Sequence, residues 1–223
     1  MKKILSVFIL TLVMALSANA EEQKIYNYEQ IECTGDYENF CKDENGNPIT
    51  GMAESMHDGN RVIAIEYKNG MREGKSIVYS PDGIHPTLEF SRDKNGELNG
   101  ENKVYWADTH TIKSEVTWKN GKRVGKSVNY YKDGKKQFTV LELDPIEGVD
   151  VTPMEFDFFD RNEQLFARFD LNGITCYDKD NKARNATTIG KMLKMEAFFD
   201  EQEKTSNDPI FYLKEHDFTF LCK

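Results

Sequence analysis

Groups able to do chemistry are few and dispersed in this chain. It carries four histidines (His57, His85, His110, His216) and four cysteines (Cys33, Cys41, Cys176, Cys222). Nucleophilic, phosphoryl or hydride chemistry would need them in a motif. No G-x-S-x-G elbow, H-E-x-x-H helix, P-loop or dinucleotide fingerprint occurs. There is no C-x-x-C and the histidines are scattered, so no metal-ligand spacing is visible. The runs Asp178-Lys179-Asp180-Asn181 and Arg92-Asp93-Lys94-Asn95 offer side-chain oxygens, but neither matches a calcium loop with its distal Glu. Turn chemistry explains them better. Glycosidic hydrolysis asks only for two carboxylates. Glu66, Glu89, Glu115 and Glu142 fall on predicted strands, where alternation gives a solvated face with lysines nearby to neutralise it. The chain therefore reads as a non-enzyme with no metal and no cofactor.

Elements that could position a binding surface are far clearer. NGMREGKSIVYSPDG from Asn69, NGELNGENKVYWADT from Asn95 and NGKRVGKSVNYYKDG from Asn120 share one frame with a period of about 25 residues. A degenerate copy begins at Asn45, with Met56 in the tyrosine position, and a later one aligns Phe158 with Tyr130. Asn-Gly and Asp-Gly are hairpin turns, because these residues accept positive φ. Gly74, Gly100 and Gly125 stand where each loop rejoins a strand, which suggests a bulge or a close backbone approach. Between turns the chain is β-branched and aromatic with partial alternation, as in Ile63, Ile65 and Tyr67. Tyr79, Tyr105 and Tyr130 recur at one site and are expected to stack repeat upon repeat. A lone hairpin is marginal in water, so the copies must pack on one another. The predicted fold is mainly β: an elongated antiparallel sheet of tandem β-hairpin repeats over 45–183.

That frame resembles the bacterial variant of the MORN repeat, strongly in the three central copies and loosely at both ends. The resemblance implies a scaffold for protein or membrane-lipid contacts. It also implies an antitoxin label and, in some periplasmic relatives, immunity against secreted toxic effectors.

The ends read differently. Lys2 and Lys3, an apolar stretch over 4–16 and Ala18-Asn19-Ala20 form a cleavable signal peptide over 1–20. The apolar run is short of the roughly 20 residues that a spanning helix needs. Loss of Lys2 and Lys3 takes the formal charge from −9 to −11. Such a protein, periplasmic or secreted, repels nucleic acid and anionic lipid, and no membrane insertion is expected after cleavage. Four cysteines in an oxidising compartment suggest disulfides. Three connectivities are possible, and position in the chain favours Cys33–Cys41 with Cys176–Cys222. Residues 21–44 then form a disulfide-tied N-terminal cap. Residues 184–223 form a C-terminal cap: a helix over 187–204, capped by Thr187 or Thr188, and short strands over 210–213 and 218–222. Ile189, Met192, Leu193, Met195, Phe198 and Phe199 fall on its apolar side, expected to face the core.

Trp106 and Tyr131 follow the repeated tyrosines and are therefore expected on the opposite face, partly exposed, as binding anchors. A second apolar layer under the C-terminal helix is the equal alternative. The expected function is protein binding, with immunity against an exported toxin as its specific form. The alternative is an envelope small-molecule or carbohydrate binder, or a hydrolase using the strand carboxylates.

Overall fold

A computed structural model describes residues 23–35, 40–145, 153–203 and 217–223. The signal peptide and the strand expected over 210–213 lie outside the described residues.

One sheet of 14 strands runs through the molecule, with neighbours in sequence paired as antiparallel hairpins. Its strands are β1 (Ile25–Asn27), β4 (Gly51–His57), β5 (Asn60–Tyr67), β6 (Gly74–Tyr79), β7 (Pro86–Arg92), β8 (Gly100–Tyr105), β9 (Ile112–Lys119), β10 (Lys122–Arg123), β11 (Lys126–Tyr130), β12 (Lys136–Glu142), β13 (Met154–Phe159), β14 (Leu165–Asp170), β15 (Gly173–Tyr177) and β16 (Ala183–Asn185). Strand β1 alone pairs in parallel, against β4. A separate hairpin of β2 (Glu32–Thr34) and β3 (Phe40–Lys42) sits at the N-terminal end, and one helix, α1 (Ile189–Glu203), follows β16.

Turn chemistry drives the hairpins as expected. Asn69 and Gly70 have φ of 50° and 81°, both left-handed, the geometry of a type I′ turn whose twist matches its strands. At Gly74, φ is 111°, and a Cβ would meet the Glu66 carboxylate, which accepts a hydrogen bond from the Lys75 N–H at 2.9 Å. The backbone conformation is what calls for glycine, since the Glu66 side chain could swing aside; Gly100 and Gly125, with φ of 102° and 72°, hold the equivalent places near the starts of β8 and β11.

Five hairpins slip register at the same point, just before Met56, Tyr79, Tyr105, Tyr130 and Phe159. The repeated aromatic therefore marks a β-bulge, where two residues oppose one and the strand bends. This corrects the alignment of the last copy by one residue: Phe159, not Phe158, takes the tyrosine place. The turns over 131–135 and 160–164 close with the same hydrogen bond, Tyr131 N–H to Lys135 and Asp160 N–H to Gln164.

One face of the sheet is apolar and both its ends are covered. At the N-terminal end Cys41, Ile49, Ala53, Ile65 and Tyr67 pack beside the Cys33–Cys41 disulfide. At the C-terminal end Phe138, Val140, Phe156, Phe158, Ala167 and Ile174 meet Met195 and Phe198 of α1, together with Phe218 and Leu221. The Cys176–Cys222 disulfide ties that last segment to β15. In the middle the same face is lined by the buried Ser76, Asn102, Ser114, Val104 and Val116.

Two details of the C-terminal cap differ from expectation. Ile189 and Leu193 are 82% and 58% exposed, while Met195 is 1% and Phe198 6%. The buried stripe is therefore Met192, Met195 and Phe198, at a spacing of three, and Thr188 caps the helix by accepting from the Lys191 N–H. Residues 219–221 form a 3-10 turn, not a strand. Phe218 and Leu221 are both buried, and three-residue spacing shares a face only in a helical turn. Among the described residues, no helix is long and apolar enough to cross a membrane.

Candidate functional site

In a sheet of consecutive hairpins, alternate turns fall along the same rim. The turns over 80–85, 106–111, 131–135 and 160–164 follow one another there, and their side chains interlock. Asn60 donates to the Pro81 carbonyl (3.0 Å), Thr111 to Lys132 (3.0 Å) and the Lys135 ammonium to Arg161 (2.7 Å). Lys132 pairs with Asp108 at 2.5 Å, and Arg161 with Asp133 at 3.2 Å.

Trp106 and Tyr131 belong to this rim. Each opens its turn through a backbone hydrogen bond, to Thr111 and Lys135 respectively. Both are half-buried. Lys113 and Lys132 lie over the Trp106 ring at 4.9 and 5.4 Å; the Arg161 guanidinium lies over Tyr131 at 3.7 Å. Cations held over aromatic faces are worth about 0.5–1 kcal/mol at such sites and fix the ring orientation. The expected placement on a sheet face is thus replaced by placement on an edge, because the bulge interrupts alternation one residue earlier. Neither ring joins the core under α1. Beside Tyr131 a groove of about 590 Å³ is lined by Asp160, Arg161, Phe166, Asp217 and Phe218.

The expected tyrosine stack does not form; the bulge turns each hydroxyl toward a charged neighbour. Tyr130 donates to Glu115 at 2.7 Å, and Arg61 donates to Tyr79 at 3.2 Å. Burial, and then the Glu115 carboxylate, push the Tyr130 hydroxyl up; burial and Glu89 do the same to Tyr105.

The strand carboxylates are all engaged: Glu66, Glu89 and Glu115 on the other, polar face, and Glu142 at the end of β12 on the same face as Phe138 and Val140. Glu89 pairs with Lys75 (2.9 Å), Glu115 with Lys103 (3.4 Å) and Glu142 with Arg123 (2.6 Å), while Glu66 covers Gly74. Burial works against the Lys103 charge, but Glu101 and Glu115 outweigh it and raise its pKa. Each carboxylate is spent on its own cross-strand partner, and no two of them converge on a bond. The Asp93 and Asp178 side chains likewise close turns: Asp93 accepts from Asn95 and Glu97 N–H groups, Asp178 from Asp180 and Lys182.

The ladder is tightest at Asp157, 5% exposed, which accepts from Lys126 at 2.6 Å and from Arg168 at 2.7 Å. Burial would raise its pKa, yet the two cations hold it lowered. A lowered carboxylate adds stability above its unfolded pKa and loses it as pH falls through the folded value. Breaking a buried ion pair costs about 3–5 kcal/mol. Lys126 and Arg168 remain 42% and 32% exposed and can rehydrate, so Asp157→Ala should cost about 2–3 kcal/mol at neutral pH. The gap in urea midpoint between wild type and variant should narrow as pH falls below the ordinary Asp value of about 3.9 and on through the lowered folded value; a gap that stays constant as pH falls would mark packing, not charge.

Two histidines that are scattered in sequence meet on the rim. His85 and His110 stack with ring centroids 3.8 Å apart and planes at 13°. The His85 Nδ1 lies 2.7 Å from the Asp82 carboxylate. The sequence carried a signal for this: the two are 25 residues apart, one repeat period, so adjacent hairpins bring them side by side. Scanning the histidines for local ligand spacing missed it.

Comparison with known protein families and with curated proteins finds no match.

Proposed function

We propose that this chain is an exported, non-enzymatic repeat protein of the MORN-variant type whose turn rim binds a protein partner. In its specific form it is a periplasmic or secreted immunity protein that blocks a toxin. The observation carrying this reading is the pair Trp106 and Tyr131. They are half-buried aromatics on adjacent turns, held in place by Lys113, Lys132 and Arg161. Rigid aromatics rimmed by charge are the usual anchors of interfaces, because little side-chain entropy is lost when they are covered. Two disulfides suit an oxidising compartment. The pairing of every strand glutamate named above with a cation, an amide or a hydroxyl speaks against hydrolysis.

The test is capture of a partner by the mature chain from the native envelope and secreted fractions, followed by affinity measurements. Trp106→Ala and Tyr131→Ala should each weaken a protein partner by roughly 30-fold, as an anchor worth about 2 kcal/mol would. Each should also cost some stability, as truncation of a half-buried aromatic does, so the loss of affinity is read well below the variants' melting temperatures with circular dichroism confirming the fold. A second reading, a small saccharide-like ligand, is favoured by the groove beside Tyr131, where Phe166 and Phe218 flank Asp160 and Asp217. Trp106 does not line that groove, so loss of binding in Tyr131→Ala alone selects the small ligand.

A further inference from the structure

The rim carries one cluster that neither the repeat scaffold nor partner recognition requires. Asp82 and His85 come from the β6–β7 turn, His110 from the β8–β9 turn. One ligand atom from each lies within 4.8 Å of the others. We propose that Asp82, His85 and His110 together bind one divalent first-row transition-metal ion of the zinc class.

Three features build the site. First, the Asp82 carboxylate is fixed and charged. One oxygen accepts from the Ser80 hydroxyl and from the Ile84 and His85 N–H groups, at 2.8 and 3.1 Å for the two amides. The Ser80 hydroxyl, then His85 and these amides, hold its pKa far below the ordinary carboxylate range. Its other oxygen faces the His85 Nδ1. Second, His110 is set by its backbone. Its φ is 56°, and its N–H donates to the Trp106 carbonyl at 2.9 Å. Among the described residues, no hydrogen bond engages its ring, so that ring's nitrogens are unspent. Third, the stack brings the two imidazoles side by side, so that one ion can reach a nitrogen of each.

Two imidazoles and a carboxylate are a donor set that suits zinc, copper or nickel, and three protein ligands leave a position for water. Metal–ligand bonds of about 2.0–2.2 Å require the donors to draw closer and the rings to tilt out of parallel. His85 and Asp82 have side chains 44% and 39% exposed, at turns where rotation meets little packing. A metal binds an imidazole nitrogen only in competition with a proton, so affinity depends on pH. Lys132, on the next turn of this rim, is paired with Asp108.

The experiment is calorimetric titration of the mature, oxidised chain with zinc chloride at pH 7.5 and pH 5.5. Variants Asp82→Asn, His85→Gln, His110→Asn and His57→Ala accompany it. Asparagine tolerates the left-handed backbone at 110 and keeps the acceptor for the turn at 82, so these variants should fold, with circular dichroism as the check. One equivalent should bind at pH 7.5 with micromolar affinity, and binding should vanish at pH 5.5. His85→Gln and His110→Asn should abolish it, and Asp82→Asn should weaken it by roughly 10–100-fold. His57 is 82% exposed and pairs with Asp58 on the neighbouring turn, so His57→Ala should change nothing. No stoichiometric binding at pH 7.5, or binding retained by His85→Gln and His110→Asn, overturns the proposal and leaves the stack as packing between turns.

Discussion

Phe158→Ala is expected to lower stability by about 3–5 kcal/mol, the range for truncating a buried phenylalanine. The side chain is 1% exposed. Its ring lies 5.9 Å from Phe138, 6.1 Å from Phe156 and 4.6 Å from Phe218. Phe158 thus joins three elements at once: its own hairpin, the strand beside it and the C-terminal segment. A cavity there cannot collapse easily, because Phe138 and Phe156 are held by strand register and Phe218 by the nearby disulfide. The neighbouring residue provides the contrast. Phe159 holds the bulge position and is half-buried, so Phe159→Ala should cost about half as much or less. Urea denaturation of both variants decides this. Equal losses would mean that the alignment putting Phe158 in the tyrosine place had described the physics better than the register does.

That pair of residues also shows where sequence reading stops. The hairpins were legible because Asn-Gly and Asp-Gly demand positive φ, and the strands because β-branched and aromatic residues alternate between them. Both disulfides were legible from position, and α1 from its three-to-four spacing. A bulge, however, belongs to two strands at once. Nothing within β13 alone says that Phe166 of β14 is skipped when Phe158 pairs with Ala167 and Phe159 with Leu165. The same slip sends the Tyr130 hydroxyl to Glu115 and moves Trp106 and Tyr131 from a sheet face to a rim. Ile189 and Leu193 illustrate a second limit. A 15-residue helix packed by one side against a sheet buries one narrow stripe, so apolar residues at its margin stay in water. His85 and His110 illustrate a third: ligands gathered by repetition share no local motif, and their spacing reads only once the period is known.

Removal of the Cys176–Cys222 disulfide should destabilise the protein more than removal of Cys33–Cys41. The reason lies mainly in the unfolded chain. A crosslink removes loop-closure entropy in proportion to the logarithm of the loop it closes. The sequence separations are 46 and 8. The chain-entropy estimate is then about 4 kcal/mol for the C-terminal bridge against about 2.5 kcal/mol for the N-terminal one. Native packing widens the gap. Cys222 anchors the segment that inserts Phe218 and Leu221 beneath α1, whereas Cys33 and Cys41 already sit opposite each other in a paired hairpin. The Cys176→Ala, Cys222→Ala double variant should therefore lose the larger part of the protein's stability. Its α1 should also exchange amide hydrogens faster than β4 and β5 do. The Cys33→Ala, Cys41→Ala pair should leave α1 protected. A C-terminal loss equal to or smaller than the N-terminal one would show that the reduced chain keeps its ends together without the bond, and that the core around Phe218 holds its own cap.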